Sequence, residues 1–297
     1  MSKKILITGA AGFIGRQLSD FFEKKKIPTV DIDDLSIKPV LFPKKKLIVK
    51  KVENITSDFL KKNSINKIVH LAAKKSVDQS FINLKNSTQN FEMTLKLLDS
   101  ALNAEVEHIY NASTCEIFGN QKKKLKEKSN FIPHSPYAVS KVANEYLCNI
   151  FLMRKPKMRI TSLIFFNTFG PTEGKDAVIP KFIDLLKKNK KINIEGDGNQ
   201  SRDFTYIDDT ISALFKIISS KKYFRQINIG TGRNVSIKKL VNTLKLFYPK
   251  LEVTYVKSRT NEIEAFNANI DLLKKEFNFK NSYSFLDGIK KTIENFK

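Results

Sequence analysis

Ile7-Thr8-Gly9-Ala10-Ala11-Gly12-Phe13-Ile14-Gly15-Arg16-Gln17-Leu18 sets a glycine at every third position directly behind the apolar run Ile5-Leu6-Ile7. Repeated loss of side chains just after a buried strand marks a backbone that turns tightly and lets something come close. The first glycine permits the turn, the second lets the main chain approach a pyrophosphate, and the third lets the next helix pack against the sheet. The N-terminus of that helix offers unpaired N–H groups and the positive end of its dipole. Such a loop needs an acidic residue at the end of the second strand, and Val30-Asp31-Ile32-Asp33-Asp34 supplies one about 20 residues on. Asp33 best fits the ribose 2′-hydroxyl. Its carboxylate repels a 2′-phosphate and no arginine follows, so the expected dinucleotide is NAD rather than NADP.

Short apolar runs alternate with helical patterns along the first half. Ile5–Ile7, Thr29-Val30, Leu47–Val49, Ile68–Leu71, His108–Tyr110 and Thr161–Phe165 read as buried strands, and Phe91–Leu102 and Tyr137–Met153 carry apolar residues at helical spacing. Strand and helix in alternation predict an α/β fold, a doubly wound parallel sheet of Rossmann type with helices on both faces. Beyond about residue 167 the alternation loosens into loop-rich pieces such as Glu195-Gly196-Asp197-Gly198-Asn199. The expected division is a dinucleotide domain over 1–166, with segments returning to it at roughly 204–230, and a smaller α/β region over 167–297 that binds substrate.

Composition narrows the classes. With 297 residues, 41% of them hydrophobic, the chain can bury a sizeable core. The net charge of +23 comes from lysine, which outnumbers arginine 46 to 7 and is spread over most of the chain. Phosphate-gripping surfaces draw on arginine's planar fork, so no nucleic-acid partner is expected. Two cysteines make no disulfide framework, and no run reaches the roughly 18 apolar residues of a membrane span. A soluble cytoplasmic protein with no membrane partner is expected. His70, His108 and His134 show no ligand spacing, so no metal site is expected.

Two further motifs carry chemistry. In Ser135-Pro136-Tyr137-Ala138-Val139-Ser140-Lys141 the serine and proline suit a helix start, which puts Tyr137 and Lys141 four apart on one face. A phenol with a pKa of about 10 is a poor base at neutral pH. A neighbouring ammonium and the positive ring of an oxidised nicotinamide stabilise the phenolate and lower that pKa. In Ala112-Ser113-Thr114-Cys115-Glu116-Ile117-Phe118-Gly119, placed behind a predicted strand, the Thr114 hydroxyl can reach the substrate atom that Tyr137 reaches.

These motifs, with His70-Leu71-Ala72-Ala73, Asn90, FFNTFGP at Phe165–Pro171, VIPKFI at Val178–Ile183, GDGNQSRDFTYIDD at Gly196–Asp209 and NIGTG at Asn228–Gly232, carry a resemblance. Nearly end to end, the chain resembles the extended short-chain dehydrogenases/reductases, the NAD-dependent epimerase/dehydratase family that acts on nucleotide-activated sugars. The resemblance implies that Tyr137 takes the proton of the sugar's C4 hydroxyl while hydride passes to NAD. Lys141 holds the ribose and tunes Tyr137, and Thr114 is the polar partner. It implies NAD contacts from Gly9, Ala11, Gly12, Phe13, Ile14, Gly15, Asp33, Leu71, Ala72, Ala73 and Asn90, with Asn54-Ile55 against the adenine where relatives often carry an aspartate. It also implies that Asn167, Arg202 and Arg259 bind the diphosphate of a nucleoside-diphosphate sugar, a role suited to a guanidinium fork, and that helices from Asn90 and Tyr137 form a homodimer interface.

The fate of the 4-keto sugar decides the product. Rotation and return of hydride to the other face gives a 4-epimerase, like UDP-glucose 4-epimerase, and the short Asn120–Phe131 connection and modest length lean that way. Removal of the C5 proton with loss of the C6 oxygen gives a dehydratase. The 4,6-dehydratases of the family carry Thr-Asp-Glu where this chain has Thr114-Cys115-Glu116, so Glu116 suits the C5 base while a thiol replaces the acid. From another class, a catalytically silent NAD-binding scaffold or RNA binder has no need of Thr114, Tyr137 and Lys141 together.

Overall fold

A computed structural model describes residues 3–121, 123–155, 157–258 and 263–296. Lys4–Thr8 (β1) runs into Phe13–Lys24 (α1), then Thr29–Asp33 (β2), Leu47–Val49 (β3), Ser57–Lys62 (α2), Ile65–His70 (β4), Val77–Ile82 (α3), Lys85–Asn103 (α4), His108–Thr114 (β5), Pro136–Arg154 (α5) and Arg159–Phe165 (β6). The later elements are Asn167–Phe169 (β7), Val178–Lys187 (α6), Ile192–Glu195 (β8), Ser201–Arg202 (β9), Phe204–Tyr206 (β10), Ile207–Ser219 (α7), Gln226–Ile229 (β11), Val235–Ser236 (β12), Ile237–Lys245 (α8), Val253–Val256 (β13), Asp271–Phe277 (α9) and Phe285–Glu294 (α10).

Seven parallel strands form the central sheet in the order β11-β6-β5-β4-β1-β2-β3. This is the doubly wound Rossmann-type α/β architecture expected from the alternation. Leu6 and Ile7 on β1 and Ile68 and Val69 on β4 are fully buried although they point to opposite faces, because helices cover both sides. Winding reverses between β1 and β4, and the crevice that this opens at the carboxyl ends of the strands is where such sheets bind ligands.

Local signals place the helices around that crevice. Ser135 caps α5, its hydroxyl accepting the Ala138 N–H at 3.1 Å, and Pro136 fills the first helical position, where no N–H is missed. On α1, Leu18 and Phe22 are fully buried, each such side chain worth about 1.5–3 kcal/mol of transfer free energy.

Outside the central sheet the second half forms three two-stranded ribbons, β7 with β10, β9 with β12 and β8 with β13. The chain also returns to the first half. β11 extends the main sheet beside β6, and α7 packs on α1 through the rings of Phe215 and Phe21, 5.3 Å apart and edge-on. β10 pairs outside the main sheet, with β7. One apolar core runs without a break from Ile7 and Leu163 of the sheet through Phe169 and Phe204 to Leu244 and Ile289, and a second fills the opposite face with Leu6, Ile68, Leu97, Ile109, Leu147 and Ile160.

Candidate active site

Gly9 takes φ +70°, a left-handed conformation that glycine adopts without strain, and a Cβ there would stand 2.6 Å from the Ala72 nitrogen. The turn therefore presses β1 against the exit of β4. A Cβ on Gly15 would lie 2.0 Å from the Gly9 carbonyl oxygen, so this glycine sets how closely α1 approaches the turn. Gly12 caps α1 and lines the crevice, and no acidic residue occupies the first turn of the helix. The free N–H groups thus keep their positive end for an anion. Asp33 at the tip of β2 accepts from the Ala11 N–H at 3.0 Å through Oδ2 and from the Leu35 N–H at 2.8 Å through Oδ1, which fixes its carboxylate at the crevice wall.

The crevice is one cavity of about 1120 Å³. Gly9, Ala11, Gly12, Phe13, Ile14, Gly15 and Asp33 line it after β1 and β2, Leu71, Ala72 and Ala73 after β4, and Thr114, Cys115 and Glu116 after β5. Tyr137 and Lys141 line it from α5, and Asn167 and Arg202 from the second half. Of the other expected contacts, Asn54 is exposed and Ile55 is buried in the core beneath α4, both outside the cavity lining, which takes Val52 from that turn instead. A three-residue helical turn, Val52–Asn54, carries the first of the pair and precedes the second. Asn90 also stays outside the lining. Its amide oxygen accepts the Lys74 N–H at 2.8 Å and its amide donates to the Lys74 carbonyl at 3.1 Å, so it pins the loop that follows β4. Arg259 lies outside the described residues.

Tyr137 is 7% exposed and Lys141 4%. Lys141 Nζ donates to the Ala112 carbonyl at 2.9 Å and stands 5.9 Å from the Tyr137 ring centre. Burial lowers the Lys141 ammonium to about 8, opposed by the charge of Glu145 and by Cys148. Burial raises the Tyr137 phenol above its ordinary value, and the Glu116 carboxylate adds to the rise, while the hydrogen bond with Thr114 lowers it. Among the chain's own groups desolvation dominates at the Tyr137 phenol, so the lowering expected there falls to Lys141 together with the positive ring of an oxidised nicotinamide. Burial also pushes the Cys115 thiol well above its usual range, with Glu116 adding to the shift and Arg202 opposing it, so the sulfur is kept as a thiol. Thr114, 8% exposed, accepts the Glu116 N–H at 3.3 Å, an arrangement that starts the turn placing Cys115 and Glu116 at the cavity wall.

On the far side, Asn167 has a buried Oδ1 with no partner among the described residues, and the Arg202 guanidinium is held by the Ile263 carbonyl at 2.8 Å and stacked over Phe266. Sequence reasoning overlooked several lining residues. Lys74 and Lys75 follow the Ala72-Ala73 pair, and Glu173, whose carboxyl is raised chiefly by burial, follows the Gly170-Pro171 turn. Their only signal is proximity to quoted motifs. Among the described residues no cluster of three or more His, Cys, Asp or Glu side chains suits a metal ion, and no helix is long and apolar enough to cross a membrane.

The crevice fits a dinucleotide. Gly9 and Gly15 have no room for a Cβ, the uncompensated start of α1 suits a pyrophosphate, and the fixed Asp33 carboxylate suits a ribose diol. Residues 5–230 match the model of the NAD dependent epimerase/dehydratase family. A Bacillus subtilis (strain 168) protein named as an uncharacterized UDP-glucose epimerase, YtcB, is 31% identical over 82% of this chain and 81% of its own length. The structure of TunA, described as an NAD dependent NDP-hexosamine 5,6-dehydratase of tunicamycin biosynthesis, superposes with a TM-score of 0.94 at 30% identity, covering 99% of this chain and 97% of that one. The UDP-glucuronic acid 4-epimerase of Bacillus cereus, in complex with UDP-glucuronic acid and NAD, gives 0.91 at 28% identity over 98% of both chains. Family match, sheet order and glycine turn agree, and the chain belongs to the NAD dependent epimerase/dehydratase family, an enzyme with NAD as its cofactor.

Proposed function

We propose that this enzyme removes water from a nucleoside-diphosphate sugar after oxidation at C4. The observation that carries the reading is the grouping of Glu116 and a protonated Cys115 beside Tyr137 and Thr114 in one cavity. Gly9, Gly12, Gly15 and Asp33 would hold NAD, with Lys141 on its ribose, and bound NAD supplies the hydride acceptor for C4. Tyr137, as the phenolate that Lys141 and the positive ring of oxidised NAD would favour, takes the C4 hydroxyl proton, and Thr114 steadies the oxygen as charge gathers on it. Once C4 is a carbonyl, the C5–H is acidic and within the chemistry of a carboxylate. Glu116 takes that proton, the C5 electron pair forms the C5–C6 double bond, and the C6–O bond breaks. The Cys115 thiol gives its proton to the departing oxygen, which leaves as water, and the cycle would close when the stored hydride returns to C6 and Glu116 gives its proton back to C5, for a net loss of one water. Asn167 and Arg202 suit the diphosphate, and the TunA likeness supports a dehydration outcome.

A second reading, 4-epimerisation, has one observation in its favour. Burial makes Cys115 a weak acid at the position where elimination needs a proton donor. Incubation with UDP-, dTDP-, GDP- and CDP-sugars in deuterated water separates the two. Loss of one water by mass, with C5 exchange that stops in Glu116→Gln, is the expected result. A product of unchanged mass that keeps its C5 hydrogen overturns dehydration in favour of epimerisation.

The enzyme is further proposed to work as a homodimer. Phe91 and Leu95 on α4 and Tyr146, Ile150 and Met153 on α5 form an exposed apolar face on two helices packed side by side.

A further inference from the structure

Glu145 is a buried carboxylate that the proposed reaction does not use. It lies one helical turn beyond Lys141 on α5 and is 1% exposed. A charge so deep needs partners, and a clamp at the start of β11 provides them. Arg225 forms an ion pair with Glu145 Oε2 at 3.2 Å and donates to the Glu145 carbonyl at 2.8 Å, while Gln226 donates to Oε2 at 3.1 Å. Arg225 is itself fixed by Asn149 Oδ1 at 2.8 Å and Ser162 Oγ at 2.7 Å. The second oxygen, Oε1, is buried and takes no hydrogen bond from the described residues. Nearby, Asn111 on β5 pairs in register with Ser162 on β6, on the same sheet face as Ile109 and Ile160 beneath α5, and both of its amide atoms are also buried without a protein partner. Buried polar atoms of α5 and β5 thus gather near the Lys141 end of the α5–sheet contact.

We infer that Glu145, clamped by Arg225 and Gln226, is a positioning residue that keeps the Lys141 ammonium charged from behind the active site. This rests on the reading of Tyr137 and Lys141 as the reactive pair. The groups that face Lys141 are Tyr137, Glu145 and Cys148 of α5, the neutral His70 imidazole at the end of β4 and the Ala112 carbonyl of β5. Among them Glu145 brings the negative charge that opposes desolvation of the ammonium. Arg225 shares that charge, so the clamp both holds the carboxylate in place and limits its pull.

The test is titration of Lys141 in the full chain, with lysine carrying ¹³C at Cε and the Lys141 signal identified by its loss in Lys141→Arg. In Glu145→Gln the midpoint falls by about one pH unit. In Arg225→Gln, where the carboxylate is no longer shared, it rises, and Glu145→Asp restores the parent value. An unchanged midpoint in Glu145→Gln overturns the inference. If that variant does not fold, an unchanged or lowered midpoint in Arg225→Gln overturns it instead. A merely structural clamp lowers the melting temperature of both variants without moving the midpoint in opposite directions. The titration uses no substrate, so its outcome is independent of whether the site dehydrates or epimerises. With turnover, the alkaline limb of the kcat profile moves in the same direction as the midpoint.

Discussion

Gly15 lies so close under the carbonyl of Gly9 that a methyl group on it would reach within 2.0 Å of that oxygen. The contact is with backbone, which has no rotamer to yield. Gly15→Ala is expected to push α1 away from the turn and cost about 1–3 kcal/mol of stability. Gly12→Ala, whose added carbon meets the same oxygen at 3.1 Å, is expected to cost less and to act mainly on the approach of the cofactor. Urea unfolding and NAD titration calorimetry on the two variants check this order.

Tyr137→Phe removes the hydroxyl that hydrogen-bonds Thr114 and leaves the buried ring in place. Turnover of the sugar nucleotide should fall by about 10²–10⁴-fold, the usual worth of a positioned proton acceptor. The melting temperature and NAD affinity should remain close to the parent's. A variant with near-parent kcat removes Tyr137 from its role.

His70 and His108 are buried and held neutral, each lowered to about 3 with desolvation as the first cause. His70 sits between the Thr8 hydroxyl at 2.7 Å on Nδ1 and the Thr94 hydroxyl at 3.4 Å on Nε2. Because the folded values lie below the unfolded value of about 6.5, the unfolded chain binds more protons between those limits. Stability should therefore fall as the pH drops from about 6.5 towards 3, by on the order of 1.4 kcal/mol per group per unit at the steepest. Denaturant midpoints measured across that range should decline, and His70→Gln should make the decline shallower.

Ile150, 54% exposed at the centre of the apolar face of α5, is the place to test the proposed dimer. Ile150→Glu puts a charge where a partner's apolar face would have to desolvate it. Light scattering at micromolar concentration should show a dimer for the parent chain and a monomer for the variant. A parent chain that scatters as a monomer rules the dimer out.

The central sheet was legible because its strands are short apolar runs, covered on both faces, and because the glycines mark the turn after β1. Helix α5 announced itself through Ser135 and Pro136, whose capping geometry is local. What depends on side-chain direction after an irregular turn was not legible. Nothing in Val52-Glu53-Asn54-Ile55 foretells that a single helical turn gives the cavity Val52 and the core Ile55. Nor does the Tyr-Lys spacing reveal how deeply Tyr137 is desolvated, since burial comes from chain segments far apart in sequence. Glu145 escaped notice for the same reason, its clamp lying some eighty positions away at Arg225 and Gln226.

The apolar core that passes unbroken from β1 to α10 has a mechanical corollary. Halves that share this core have no crease along which to fold open, since parting them would wet Phe169, Phe204 and their neighbours together. Traffic through the crevice therefore passes Ser36–Leu41 and Lys74–Gln79, which line it, the second held at Lys74 by Asn90.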